Sequence, residues 1–325
     1  MRALMCKQYG PPESLELMTV DDPQPGSGEL LVDIHAAGLN FPDVLVIAGQ
    51  YQVKTEPPFI PGNEASGVVA AVGEGVTRFK PGDSVIAMPR GGTFAEKCVV
   101  SEQLAMPLLP GLDHAQGAGF AVTYGTSYHA LRQSAALRSG ERVLVLGAAG
   151  GVGITAVEIA KAMGAEVIAA ASTDDKLEFA SAAGADHLIN YSNDSLRDAV
   201  KSLTDGAGVD VVYDPVGGEL AIQALRSLAW HGRYLVIGFA SGDIPEMPAN
   251  IALLKEASII GVWWGTWVAK DPAGHIANIK ELAGLIAEGK LTPRISERYP
   301  LEQYADAFGA ITGRRALGKV VLTMT

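Results

Sequence analysis

The 325-residue sequence predicts an α/β protein in two parts: a β-barrel-like lobe over 1–121 and 268–325, and a doubly wound six-stranded parallel sheet over 122–267. Three observations carry this prediction. The stretch Arg142 to Ala171, RVLVLGAAGGVGITAVEIAKAMGAEVIAAA, reads as strand, glycine turn, helix and strand. Strand and helix patterns then alternate as far as Trp264. The residues before about position 120 instead hold short β-rich runs between turn signals, a spacing that suits a compact barrel and not βαβ units.

In chain order, Leu30 to His35, Gly67 to Val72, Ser84 to Met88 and Phe94 to Val100 are the strands of the first lobe. Gly26-Ser27-Gly28, Gly73-Glu74-Gly75 and Lys80-Pro81-Gly82-Asp83 are its turns. Phe120 to Leu137 has a helical pattern that Gly140 stops. After a Gly140-Glu141 turn, Val143 to Leu146 is an apolar run, as expected of a parallel strand buried on both faces. GAAGGVG then sets Gly147, Gly150, Gly151 and Gly153 around Val152, and Ile154 to Met163 continues as helix until Gly164. Glycines at this turn let the backbone approach a pyrophosphate, whose charge sits against free N–H groups and the positive end of the helix dipole. A glycine pattern alone is weak, but inside a complete βαβ frame it predicts a bound dinucleotide.

The second strand, Val167 to Ala171, says which dinucleotide. An NAD site places an acid at the end of this strand for the ribose hydroxyls. This chain continues instead as Ser172-Thr173-Asp174-Asp175-Lys176. Hydroxyls beside the strand end and a lysine within reach suit a 2′-phosphate, and so NADPH. Asp174 and Asp175 read as first-turn residues of the next helix, where the dipole favours acids.

Beyond this point the pattern gives helices at Asp175 to Ala183, Asp194 to Leu203, Glu219 to Leu228 and Pro248 to Lys255. Strands fall at His187 to Asn190, Val209 to Tyr213, Arg233 to Gly238 and Ser258 to Trp264. The cofactor is expected over the C-terminal ends of the six strands. Past Asp271, two amphipathic helices, Ala273 to Glu288 and Leu301 to Thr312, and a last strand, Lys319 to Thr323, break the pattern. This tail is expected to return to the first lobe.

The composition is that of a globular chain, 48% hydrophobic and 19% charged. A net charge of −11 with no offsetting basic cluster argues against a nucleic-acid groove. Cys6 and Cys98 cannot make a disulfide framework and suit a reducing compartment. The N-terminus meets Gly10-Pro11-Pro12 before a signal-peptide core develops. No apolar run approaches the ~18 residues of a membrane helix. A cytoplasmic enzyme with no membrane partner is expected. The six histidines, His35, His114, His129, His187, His231 and His275, form no i, i+4 pair and read as solvated or core residues.

Three stretches resemble the medium-chain dehydrogenase/reductase superfamily and, within it, the zinc-independent quinone oxidoreductase branch: AAGLNFPDVLVIAGQY from Ala36, PGNEASGVVAAVGEGVTRFKPGDSV from Pro61, and GAAGGVG. DPVGG at Asp214 to Gly218, IGFASG at Ile237 to Gly242 and GKVVL at Gly318 to Leu322 extend the resemblance over the length of the chain. The resemblance implies a GroES-like first lobe, a Rossmann second domain, and NADPH-dependent hydride transfer to a small-molecule quinone or α,β-unsaturated carbonyl compound. Zinc-dependent members of the superfamily carry a cysteine where this chain has Asn40 and a histidine where Asn63 precedes Glu64. Neither amide is a good zinc ligand, and a catalytic zinc needs three protein ligands and an open position. No metal is expected.

By the same resemblance, Asn40 faces the nicotinamide and the substrate, and Tyr51 stands over the pocket, with Asp43 and Asn63 as further candidates. Read as residues alone, Asn40 has a second reading as a turn residue satisfying its own backbone, and Tyr51 is equally an aromatic lid packed by its ring. The implied cofactor contacts are Asn40, Thr126, Gly147, Gly150, Gly151, Val152, Gly153, Ser172, Lys176, Tyr191 on the adenine side, and Phe239. Lys319 either approaches the cofactor or is a solvated lysine before an edge strand. The pair Trp263-Trp264, read as exposed at the end of the sixth strand, and the relatives' edge-to-edge pairing imply a homodimer.

Without a metal, acceptors that are already conjugated need the least help. Hydride passes to their electrophilic carbon while hydrogen-bond donors hold the developing enolate or phenolate. No side chain stands out as the proton donor, which leaves water. Two other readings stay open. One is an enoyl thioester reductase, whose coenzyme A phosphates would need a basic channel from Arg90, Arg314 and Arg315; the other is a protein that binds NADPH as a sensor without turnover. Unrelated chemistries fail on their motifs. GRRALGK at Gly313 to Lys319 is followed by Val320, where a phosphate-binding loop needs a hydroxyl and then a helix. GTSYH at Gly125 lacks the second glycine of a nucleophile elbow.

Overall fold

The structure, a computed structural model, describes residues 1–324 and divides into two units, Met1–Val122 with Pro293–Thr325, and Thr123–Thr292. In the first unit β1 (Arg2–Met5) and β2 (Glu16–Thr19) form an antiparallel pair. The long β3 (Glu29–Gly38) follows, then α1 (Phe41–Ile47), β4 (Ala65–Val72), β5 (Ser84–Ala87), β6 (Lys97–Ser101), β7 (Ala105–Pro107) and α2 (His114–Ala118). Neither α1 nor α2 is legible as a helix in the sequence, because seven and five residues are too few to show a period. What makes α2 is its ends: Asp113 Oδ1 accepts from Gln116 N–H at 2.7 Å while Gln116 Oε1 accepts from Asp113 N–H at 3.0 Å, a reciprocal capping box.

The chain passes into the second unit within α3 (Ala121–His129) and runs through β8 (Arg142–Leu146), α4 (Gly151–Ala162), β9 (Glu166–Ala171), α5 (Asp174–Ser181), β10 (His187–Asn190) and α6 (Leu196–Leu203). It continues through β11 (Val209–Asp214), α7 (Gly218–Arg226), β12 (Leu228–Val236), α8 (Ala249–Lys255), β13 (Ser258–Gly261), α9 (Trp264–Lys270) and α10 (Pro272–Ala287). The last elements, β14 (Ile295–Pro300), α11 (Tyr304–Thr312) and β15 (Lys319–Thr323), belong to the first unit.

The first-unit sheet is organised on β3. It pairs antiparallel with β4 along Leu30 to Ala37, with β6 along Glu29 to Asp33, and with β15 along Ala36 to Gly38. Leu4, Leu30, Val32, Ile47, Phe94, Phe308 and Leu322 fill its core. The sheet of the second unit is parallel throughout, in the order β10-β9-β8-β11-β12-β13. That is the doubly wound Rossmann order, with its switch point between β8 and β11, where ligands bind in such folds.

Several sequence expectations are corrected here. The helical pattern to Leu137 ends at His129 and passes through a wider π turn at Ala130–Ser134. Strand β12 begins at Leu228 and not at Arg233, but Ala229 to Gly232 bulge out of register, with His231 at φ 60°, which hides the start in the residue pattern. The sixth strand stops at Gly261, and Trp264 is the first residue of a helix. Trp263 is exposed, whereas the Trp264 indole packs where a Cβ on Gly125 would lie 2.6 Å from it. The return to the first unit falls at 292/293 and not at 267/268, because α10 is tied into the second unit. Asn278 exchanges hydrogen bonds with Gln133 at 2.8 and 3.2 Å, Glu281 accepts from Tyr128 Oη, and Leu282 is fully buried.

One charged latch joins the start of β8 to β12. Arg233 donates to both carboxylate oxygens of Glu141, at 3.0 and 2.7 Å, and to the Ala135 carbonyl at 3.1 Å. Burial works against the Glu141 carboxylate, but Arg233 and the Arg138 N–H outweigh it and hold its pKa below the usual value. Such a group stabilises the fold at neutral pH and loses that contribution as pH falls through its folded pKa. Arg233→Met is expected to lower stability by about 1–3 kcal/mol at pH 7. In denaturant titrations the gap to the wild type should close as the pH is taken down through the carboxylate range, and a gap that persists there would contradict the assignment.

Candidate active site

In the first unit three strand ends meet at one buried polar cluster. Chain β3 ends at Gly38 and turns at Asn40 into α1; Glu64 stands immediately before β4; Lys319 opens β15. The Leu39 N–H bond to the Val320 carbonyl, 3.0 Å, holds β15 beside the end of β3. Lys319 Nζ donates to Asn40 Oδ1 at 2.6 Å and to Glu64 Oε1. Asn40 Nδ2 donates to Glu64 Oε1 at 2.9 Å and reaches Asn63 Oδ1 at 3.4 Å. The second Glu64 oxygen accepts from the Val122 N–H at 3.0 Å. Two glycines make the lane for the lysine stem: a Cβ on Gly38 would stand 2.9 Å from Lys319 Cε, and one on Gly119 would stand 2.8 Å from its Cγ.

Asp43 lies one helical turn on from Asn40 and is buried. Its Oδ2 accepts the Asn40 backbone N–H at 2.8 Å. Burial pushes its pKa up to about 7, against the pull of that N–H and of the Lys319 charge.

The arrangement sorts the expected residues. The Asn40 amide is committed on both ends, its oxygen to Lys319 and its nitrogen to Glu64 and Asn63. Asn63 joins the cluster through Asn40. Lys319 is not a solvated lysine; it is 5% exposed and its ammonium is engaged by Asn40 and Glu64. Tyr51 sits half-buried in the turn after α1, its N–H on the Leu45 carbonyl at 3.1 Å. Glu64 was missed as a functional side chain. Its only sequence signal was an acid standing directly before the small-residue strand ASGVVAAV.

In the second unit the glycine turn has the geometry of a pyrophosphate cradle. Gly147 has φ 57°, and a Cβ on Gly153 would fall 2.2 Å from the Gly147 carbonyl, so the approach of α4 to β8 requires glycine there. Gly150 caps α4 without a side chain, leaving the first-turn N–H groups of Gly151, Val152 and Gly153 for an anion. At the end of β9, Lys176 Nζ donates to Ser172 Oγ at 2.9 Å, and Ser192 Oγ donates to the Ser172 carbonyl at 2.9 Å. The Tyr191 N–H bonds the Ala171 carbonyl at 3.1 Å. Asp174 and Asp175 are in the first turn of α5, as expected, and Asp174 is held by Asn190 Nδ2 at 2.7 Å.

Across the switch point, the loop after β11 is set by Asp214, the first residue of the DPVGG stretch. Its Oδ1 accepts the Val216 and Gly217 N–H groups at 2.7 and 2.9 Å, and its Oδ2 accepts from Tyr234 Oη. Burial raises the Asp214 pKa, while Tyr234 and the two N–H groups pull it back. This loop brings Val216 to 3.0 Å from where a Cβ on Gly147 would stand, and places the Phe239 ring at the same distance from one on Gly217. Thr126 is half-buried on α3; its neighbour Ser127 forms an unforeseen buried hydroxyl cluster with Thr155 and Tyr213, both at 2.8 Å.

A barrel unit with a buried ionic cluster and a doubly wound unit with a glycine cradle together define a dinucleotide-dependent oxidoreductase. The family model described as alcohol dehydrogenase GroES-like domain matches residues 26–126, and that described as zinc-binding dehydrogenase matches residues 151–283. The chain is 38% identical to quinone oxidoreductase-like protein 2 of Bos taurus over 99% of this chain and 92% of that one. It is 33% identical to the quinone oxidoreductase of Homo sapiens over 100% of this chain and 98% of that one. Among solved structures, the Escherichia coli quinone oxidoreductase complexed with NADPH matches with a TM-score of 0.94 and 28% identity, covering 99% of this chain and 100% of that one. The chain belongs to the medium-chain dehydrogenase/reductase superfamily, as a quinone oxidoreductase-like member.

The Asp43 environment gives a pH test. A carboxyl whose folded pKa lies above its unfolded value binds its proton more tightly when folded, so the wild type loses stability as pH rises from about 4 to 7. Asp43→Asn removes that titration. Relative to the wild type, the variant should gain up to about 4 kcal/mol between pH 4 and pH 8. Urea melts at several pH values check this; a difference that does not change with pH would refute it.

Proposed function

We propose that the protein is an NADPH-dependent, zinc-independent reductase that passes a hydride to small-molecule quinones or α,β-unsaturated carbonyl compounds. The observation that carries the cofactor choice is the Ser172–Lys176 pair at the end of β9, with Asp174 turned to Asn190. A hydroxyl and an ammonium suit a 2′-phosphate, whereas an acid at the same place would suit free ribose hydroxyls. The NADPH complex of the Escherichia coli relative supports the same choice. Gly147, Gly150, Gly151, Val152 and Gly153 would hold the pyrophosphate, Tyr191 the adenine side, and Thr126 and Phe239 the nicotinamide side.

The donor set supports zinc independence. At the positions where zinc-dependent relatives place ligands stand Asn40 and Asn63, and the adjacent carboxylate is engaged by Lys319. Amides and an ion-paired carboxylate do not make a three-ligand zinc site. Among the described residues no group of three or more His, Cys, Asp or Glu could hold a metal ion. Conjugated acceptors fit this chemistry, because delocalisation already disperses the charge that a metal would otherwise meet. Bound NADPH supplies the hydride. A cytoplasmic setting agrees with the buried free thiols of Cys6 and Cys98, and no helix of the described residues is long and apolar enough to cross a membrane.

A homodimer through β13 is part of this reading. The strand is an edge of its sheet, Ile259 on it is 40% exposed, and Trp263 just beyond it is 53% exposed. An unpaired apolar edge is a template for a second copy. Wild-type protein is expected to sediment as a dimer and Ile259→Lys as a monomer; a monomeric wild type would rule the assembly out.

Fluorescence titration with NADPH and NADH, followed by addition of 1,4-benzoquinone, an enone and crotonyl-CoA, tests the function. NADPH should bind at least about tenfold tighter than NADH, and Lys176→Ala should erase most of that preference while changing NADH binding by less than about threefold. Equal affinities would overturn the reading of the β9 end. Oxidation by crotonyl-CoA alone would favour the enoyl thioester reductase, and tight binding with no oxidation by any acceptor would favour a sensor.

A further inference from the structure

We infer that His35 and His114 together form a binding site for a divalent first-row transition-metal ion, with Cu²⁺ preferred to Ni²⁺ and Zn²⁺. The site lies wholly within the first unit, and it stands or falls independently of the reductase reading.

Two elements bring the rings together. Strand β3 pairs Ile34 with Gly67 and then Ala36 with Ser66, so two residues of β3 advance for one of β4 and His35 is the extra residue of a bulge. A bulge breaks the alternation of a strand and re-aims the side chain it carries. His35 is exposed in consequence, although Ile34 and Ala36 on either side of it are buried. Helix α2 packs across this part of β3, with Ala115 and Ala118 against Ala36. Its first residue, His114, sets its ring 4.3 Å from the His35 ring, centre to centre, at an interplanar angle of 48°.

Counting hydrogens fixes which His114 nitrogen is available. Ser66 is sealed from water, and its Oγ lies 2.8 Å from the Val85 carbonyl and 2.8 Å from His114 Nδ1. A hydroxyl has one hydrogen and a carbonyl can only accept, so that hydrogen goes to Val85. Ser66 must then accept from His114, whose Nδ1 carries the proton and whose Nε2 keeps its lone pair. Metal-ligating histidines are held in this way, the second ring N–H donated to a neighbouring acceptor that fixes tautomer and orientation. Among the described residues no hydrogen bond engages the His35 ring, so either of its nitrogens can carry a free pair. Bonds of about 2.0–2.1 Å from one ion to two imidazoles put the two nitrogens no more than about 4.2 Å apart. Rings centred 4.3 Å apart come within that span once the exposed His35 ring turns about its own side-chain bonds.

The donor set decides the ion. Asp113, beside His114 in the chain, is spent on the Gln116 N–H at 2.7 Å and on Arg298 at 2.8 Å. What remains is imidazole, which suits Cu²⁺, Ni²⁺ and Zn²⁺, whereas Mg²⁺ and Ca²⁺ want oxygen; among the former the general affinity order puts Cu²⁺ first. Water fills the other positions. With two protein ligands the ion exchanges with solvent, unlike a catalytic zinc on three.

Isothermal titration of the purified full chain with CuCl₂, NiCl₂, ZnCl₂ and MgCl₂ tests the site. Wild type should bind Cu²⁺ more tightly than Ni²⁺ or Zn²⁺ and take up no Mg²⁺. His35→Ala and His114→Ala should each weaken Cu²⁺ binding by at least about tenfold. Ser66→Ala, which releases the His114 ring from its fixed tautomer, should weaken it by about tenfold. His187→Ala and His231→Ala, which remove imidazoles standing beside Glu166 and Glu256, should leave it unchanged. Pulsed EPR of the Cu²⁺ complex should count two coordinated imidazole nitrogens. No uptake of Cu²⁺, undiminished uptake in His35→Ala or His114→Ala, a loss in His187→Ala or His231→Ala instead, or a single coordinated nitrogen would each overturn the site. Nitrogen-15 NMR of the metal-free wild type adds a readout that needs no variant: the His114 proton should sit on Nδ1, and a proton on Nε2 would contradict the hydrogen count.

Discussion

A buried ammonium must have its countercharge and its hydrogen bonds supplied by the protein, and that requirement organises the first unit. Lys319 reaches Glu64 only because β15 lies beside the end of β3 and because two glycines leave room for its stem. Glu64 in turn is held by the Val122 N–H and by Asn40, so the turn into α1 and the start of β4 are fixed by the same interaction. The C-terminal strand is therefore part of the site as much as part of the sheet. An apolar residue at 319 would still pair as a strand, but it would leave the sealed Glu64 carboxylate without its countercharge, a larger penalty than the loss of any one surface contact.

The second unit depends on a different kind of constraint, the closeness of backbone to backbone. The helix after the glycine turn starts so near β8 that residue 153 has no room for a Cβ, and Gly147 adopts a left-handed conformation that ordinary side chains avoid. That closeness presents the helix N-terminus to an anion. The loop after β11 is pressed against the same turn, and Asp214 keeps it there by accepting two backbone N–H groups. Here the acidic side chain works as a structural pin, which is why its burial is matched by three donors.

Legibility followed the range of the interactions. The βαβ unit was readable because its signals are local: an apolar strand, glycines at set spacing and a helix, all within about thirty residues. The end of β9 was readable for the same reason, since Ser172 and Lys176 are one helical turn apart. Helices α1 and α2 were missed for want of length, and the bulge in β12 hid where that strand begins. The placement of α10 could not be read, because what binds it to the second unit is Gln133, Tyr128 and buried packing around Leu282, contacts made over more than a hundred positions of sequence. Trp264 was misjudged because a run ending in two tryptophans looks the same whether the last continues the strand or opens a helix.

The sequence by itself determined the two-part fold class, the glycine turn of the βαβ unit and the hydroxyl and lysine at the end of β9, because each is written in neighbouring residues. It also named Asn40, Asn63 and Lys319, but as separate candidates with different roles. Only the tertiary structure decided that they are one cluster, that Glu64 is its anchor and that Lys319 is its charged donor. The physical reason is that burial and ion pairing depend on which strand ends meet, and positions 40, 64 and 319 become neighbours only when β3, β4 and β15 close the sheet.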